Sequence, residues 1–94
     1  MASFKYNGLI LKVGERLPEG SMRLKVVVSK KVAKQAVRRN RIRRILKEAA
    51  RKEFECAERM QDIVLIVLPG FEAANVKEAR EILHRLFRKA SLSH

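Results

Sequence analysis

Apolar residues along this 94-residue chain follow two periods, one of strands and one of helices. Leu9, Ile10, Leu11, Lys12 and Val13 predict a short strand, begun at the earliest at Phe4. Gly14 to Ser21, which contains Pro18 and Gly20, predicts a turn-rich connection. Arg23 to Ser29 alternates and then turns β-branched, a second strand. Ile63 to Leu68 is apolar on both pleat faces, as in a strand inside a sheet, and Pro69-Gly70 ends it.

Two helices account for the rest. Ile42, Ile45, Leu46 and Ala49 fall on one side at 100° per residue, predicting a helix from about 34–36 to about 54. Asn75 and Glu78 predict a capping box, and Ala79, Ile82, Leu83, Leu86, Phe87 and Ala90 continue at helical spacing. Glu81 is placed to pair with Arg85 one turn on. The predicted order is strand–strand–helix–strand–helix, without internal repeats. Residues 1–94 therefore read as one domain, an α/β (α+β) two-layer sandwich with helices on at least one face of a small sheet.

The strands also predict two unlike faces. Leu9, Leu11, Val13, Leu24, Val26 and Val28 form a core face. The other carries Ile10, Lys12, Arg23, Lys25, Val27 and Ser29, with Phe4 and Tyr6 expected beside them. Cationic, aliphatic and aromatic groups together suit a single-stranded nucleic acid.

An apolar fraction of 47% argues against disorder even with 34% charged residues. The longest apolar run is too short to span a bilayer, and no charged-then-apolar signal segment opens the chain. No membrane partner is expected. The lone Cys56 cannot form an internal disulfide, which suits a reducing cytoplasm, and no histidine lies near it in sequence to make it a nucleophile. His84 is expected at the edge of the last helix's apolar stripe, and neither it nor His94 has a metal-ligand set nearby. Glu53, Glu55, Glu58 and Asp62 cluster in sequence around the expected helix-to-strand loop. Solvated charge is the expectation there, with weak magnesium attraction the lesser reading.

Charge changes the picture most. Residues 30–52 hold eleven lysines and arginines against one acid, Glu48, and so carry +10 of the formal +12. The other 71 residues hold eleven basic and nine acidic side chains. Such a local concentration is the footprint of a phosphate-backbone binder. On the first helix Arg39, Asn40, Arg43, Arg44, Lys47 and Arg51 project into an arc of roughly 140°, opposite the apolar stripe. Arg39, Arg43 and Lys47 repeat at i, i+4, where like charges repel until a partner neutralises them. Arginine's planar fork suits phosphates and base edges, and Asn40 can donate and accept. The competing reading is a solvated basic face, which the near-absence of acids weakens.

Ser29-Lys30-Lys31-Val32 followed by Arg39-Asn40-Arg41-Ile42-Arg43-Arg44 resembles the RNR signature of the bacterial ribonuclease P protein component. Leu83-His84-Arg85-Leu86-Phe87-Arg88-Lys89-Ala90 is similar to that family's last helix, and the resemblance spans about residues 9–92. It implies a left-handed βαβ crossover around the motif helix, a hand that strand–helix–strand rules alone would not predict. It also implies a non-catalytic subunit of a ribonucleoprotein endonuclease. The partners are a catalytic RNA that works with bound magnesium and the precursor tRNA whose 5′ leader it removes. Lys30, Lys31, Arg39, Asn40, Arg41, Arg43 and Arg44 match the motif positions that meet the RNA. Lys34, Arg38, Lys47 and Arg51 join them by position alone, and Tyr6, Arg23 and Lys25 are candidates for the leader.

Three departures qualify the match. The family's opening helix of basic and aromatic residues, one wall of its leader cleft, and its short first strand are both expected to be absent from this chain. Ala33 and Lys25 stand where glycines are common, and Leu68-Pro69-Gly70 stands where a basic residue often follows the strand. The alternative in another class is a structural RNA-binding protein of ribosomal-protein-like fold. A DNA-binding helix lacks helix-turn-helix spacing here, and an autonomous nuclease lacks a metal-binding acid cluster or a paired nucleophile.

Overall fold

The computed structural model describes residues 2–16, 23–54 and 61–90. Its elements are β1 (Ala2–Tyr6), β2 (Leu9–Arg16), β3 (Arg23–Val28), α1 (Ala36–Phe54), β4 (Gln61–Val67) and α2 (Val76–Lys89). The strands form one sheet in the order β1-β2-β4-β3. β1 and β4 run antiparallel to β2, while β3 pairs parallel with β4 and reaches it through α1. The expected α+β sandwich is therefore present, with β4 inside the sheet as its two apolar faces require.

The core face is the expected one. Leu9, Leu11, Val13, Val26, Val28, Ile63, Leu65 and Val67 are buried, with Leu24 partly buried beside them. Leu46, Ala49 and Ala50 of α1 cover them, with Ala79, Ile82, Leu83, Leu86 and Phe87 of α2. Both amphipathic stripes thus close on the same side of the sheet. α2 starts as its cap predicts: Asn75 Oδ1 accepts the Glu78 N–H at 3.0 Å, and Glu78 Oε2 accepts the Ala74 N–H at 2.5 Å.

Several expectations need correction. The region before Val13 is two strands, not one, because Asn7 (φ 49°) and Gly8 (φ 79°) make a two-residue hairpin turn. Positive φ at both central positions is what an Asn-Gly pair allows, and its twist matches the flanking strands. The short first strand expected to be absent is thus present as Ala2–Tyr6.

The same turn corrects the facing of Phe4 and Tyr6. A continuous strand would put them beside Ile10 and Lys12. A two-residue turn reverses that parity, so Phe4 pairs with Leu11 and Tyr6 with Leu9. Both pack against the core under α2.

β2 runs on through Gly14 and Glu15 to Arg16, where a turn was expected, with a register shift between Val13 and Arg16. The pairing with β4 thus resumes at Arg16 opposite Gln61, past the irregularity. The remaining part of the expected turn, 17–21, lies outside the described residues, as do Cys56, Glu55, Glu58 and His94.

Finally, Arg85 does not pair with Glu81. Its guanidinium carbon lies 5.6 Å from the Tyr6 ring centroid, and Lys89 Nζ lies 5.4 Å from it. Glu53 is not solvated either: it is 4% exposed and accepts from Arg80 Nε at 3.3 Å. His84 Nδ1 lies 3.3 Å from its other oxygen, at the edge of the α2 stripe as expected.

Candidate nucleic-acid interface

The basic segment begins in a turn between β3 and α1. The N–H groups of Val32 and Ala33 donate to the Ser29 carbonyl at 3.1 and 3.5 Å, and this folds Lys30 and Lys31 outward. Ala33 is buried beneath them. Among the described residues only Asn7 has positive φ without being glycine, so the Ala33 backbone needs no glycine.

Arg39 then ties the turn to the helix. Its Nη1 donates to the carbonyl oxygens of Ala33 at 3.0 Å and Lys34 at 2.8 Å. Arg39 is half-buried, whereas Lys30, Lys31 and Lys34 are exposed. An arginine expected to meet RNA is thus also a clamp that places three lysines.

Further along α1, Arg43 Nη1 donates to Asn40 Oδ1 at 3.0 Å, leaving the exposed Asn40 amide group free to donate outward. Arg51 Nη2 meets Glu48 Oε2 at 2.8 Å, so the single acid of the segment is already engaged. Arg38, Arg41, Arg44 and Lys47 are exposed and have no ion-pair partner among the described residues. No acid occupies the first turn of α1, where the helix dipole would favour one. That end carries Lys34, Arg38 and Arg39 instead, an arrangement an external anion relieves.

The outer sheet face is a second surface. Strand register aligns Ser3, Lys12, Val64 and Lys25 in one row across it, and Lys5, Ile10, Ile66 and Val27 in the next. Arg23 stands opposite Asp62. No helix among the described residues covers this face; Val27 is 37% exposed, and Lys5, Arg23 and Lys25 are exposed. Of the residues expected to meet a leader, Arg23 and Lys25 lie here and Tyr6 does not. Lys5, which was not singled out, takes its place. Asn7-Gly8 was the signal that would have found it, because the hairpin sets the parity of β1.

These elements match known proteins. A family model described as Ribonuclease P matches residues 2–91. The ribonuclease P protein component of Nitrosomonas eutropha is 35% identical over 74 residues, covering 76% of this chain and 61% of that protein. That of a Synechococcus species is 41% identical over 76 residues, covering 77% and 56%. The chain thus spans about three fifths of the length of these curated relatives. The structure of the Staphylococcus aureus RNase P protein shares the fold, with a TM-score of 0.77 at 19% identity over 99% of this chain and 84% of that one. With a family match along nearly its whole length and the motif cations set on a shared fold, the chain belongs to the ribonuclease P protein family.

Proposed function

We propose that this chain is the protein subunit of ribonuclease P, acting in the cytoplasm to assist removal of the 5′ leader from precursor tRNA. The observation that supports this most is the Arg39 clamp, which holds Lys30, Lys31 and Lys34 beside Arg38, Arg41, Arg44 and Lys47, cations with no ion-pair partner among the described residues. Lys30, Lys31, Lys34, Arg38, Arg39, Asn40, Arg41, Arg43, Arg44, Lys47 and Arg51 bind the catalytic RNA. Their charge offsets repulsion between RNA phosphates and draws condensed counterions off them.

The RNA carries the chemistry, and the protein is not an enzyme alone. Magnesium acts on the RNA side of the complex. Among the described residues no group of three or more His, Cys, Asp or Glu is placed to hold a metal ion, and Glu53 already faces Arg80 and His84. The open sheet face, with Lys5, Lys12, Arg23 and Lys25 around Ile10, Val64, Ile66 and Val27, takes the leader strand. Tyr6 supports that sheet from behind.

Filter binding of the full chain to a bacterial ribonuclease P RNA across a salt series tests the RNA-binding assignment. Engagement of roughly five to eight phosphates makes log affinity fall with log salt by several units. A slope near zero would remove the patch as the binding surface.

A further inference from the structure

The two flanks of α1 differ. One carries Arg44, Lys47 and Arg51; the other, where Val37 projects with two of the cations already described, Arg38 and Arg41, borders the segment from Phe71 to Ala74 across a groove of about 610 Å³. That is within the size range of sites that hold small ligands. Ile42, Ile45 and Phe71, each half-buried, contribute apolar surface to it. Val37 on its rim is 80% exposed, the most exposed large apolar side chain among the described residues.

Phe71 is held firmly. Its N–H donates to the Leu68 carbonyl at 3.1 Å, and its backbone lies 3.0 Å from where a β-carbon on Gly8 would stand. The Leu68 N–H in turn donates to the Gly8 carbonyl at 2.8 Å. The hairpin turn therefore fixes the aromatic ring's base before any ligand arrives.

The rim decides the occupant. The Arg38 and Arg41 side chains have no hydrogen-bond or ion-pair partner among the described residues, so a protein helix entering here would leave two cations facing its apolar side. An unpaired nucleotide satisfies every wall at once. We infer that this groove accepts a single unstacked base of the bound RNA, stacked against Phe71 and Val37, with its flanking phosphates on Arg38 and Arg41. Glu72, the one acid of the lining, offers acceptor oxygens for a base amino group. This inference rests on the RNA-binding reading of α1 and adds to it a site for one base beside the phosphate-binding surface.

The test uses the full chain and two RNA hairpins, one fully paired and one with a single bulged adenine, plus a third with an abasic bulge. The adenine bulge should bind at least about fivefold more tightly than the paired hairpin, the lower end of what one stacked base contributes. The abasic bulge should lose that preference, and Val37→Glu, at a position too exposed to affect folding, should lose it too. Arg43→Ala should weaken all three RNAs alike. Equal, salt-sensitive binding to all three would overturn the groove while leaving RNA binding by α1 intact. Absence of salt-sensitive binding to any would overturn both. Val37-dependent self-association of the free chain in sedimentation would show that a second copy fills the groove, and would overturn the inference.

Discussion

Arg39 and Lys34 are joined by a hydrogen bond from the Arg39 guanidinium to the Lys34 carbonyl at 2.8 Å. The cation most exposed to reading as a pure RNA contact is therefore part of the scaffold. Because the same Nη1 also reaches Ala33 at 3.0 Å, it satisfies two carbonyls just ahead of α1. The expectation that Arg39 projects opposite the apolar stripe came from helical angle alone, which does not report a side chain folding back onto the turn ahead of its own helix.

Arg39→Ala should accordingly lower stability by about 1–3 kcal/mol, the range for hydrogen bonds involving a charged group. Exchange of the Val32 and Ala33 amides should quicken. Arg43→Ala, whose bond is to the exposed Asn40, should change stability by under about 0.5 kcal/mol and weaken RNA binding instead. Urea denaturation with hydrogen exchange separates the two variants.

The buried Glu53 carboxylate is held by two half-exposed partners on α2. Arg80→Met should cost about 1–3 kcal/mol, because it leaves a desolvated acid with His84 alone. Glu53→Leu combined with Arg80→Met should recover most of that loss by joining the apolar seam between the helices. A double-mutant cycle by chemical denaturation measures the coupling.

Glycines at two turns should behave differently. Gly8→Ala forces a side chain into positive φ and sets its β-carbon 3.0 Å from the Phe71 backbone. Gly70 also has positive φ, at 96°, but opens on free space. Gly8→Ala should destabilise by more than about 2 kcal/mol and Gly70→Ala by about 1 kcal/mol, readable as midpoint shifts in urea.

Tyr6 and Lys25 lie on opposite faces of the sheet, so their variants should separate. Lys25→Ala should reduce the benefit the protein gives to long-leader substrates, with thermal stability nearly unchanged. Tyr6→Ala should lower the melting temperature by removing the ring that Arg85 and Lys89 flank, with little dependence on leader length. Single-turnover cleavage with long and trimmed leaders, alongside melts, distinguishes them.

Most of the fold was legible because its signals are local. The Ile63–Leu68 run, the Asn75–Glu78 cap and the apolar stripes of α1 and α2 each occur within a few residues, and all lie as expected. What escaped depended on pairing partners. The Asn7-Gly8 turn was visible, yet reading Phe4 to Val13 as one strand inverted the facing of Phe4 and Tyr6. Glu53 looked solvated because its partners, Arg80 and His84, lie 27 and 31 residues away in sequence. The positions of Arg38 and Arg41 on a second flank of α1 were implicit in the helical angle. The groove they border needs Phe71, which only the folded chain brings near.

The most direct test adds purified chain to a bacterial catalytic ribonuclease P RNA at low magnesium and follows cleavage of precursor tRNA in single turnover. The protein should raise the rate of correct 5′ leader removal, and Arg43→Ala should require a higher protein concentration to do so. The chain alone, with magnesium, should cleave nothing. Cleavage by the RNA-free protein, or binding to the catalytic RNA without any gain in its activity, would contradict the assignment.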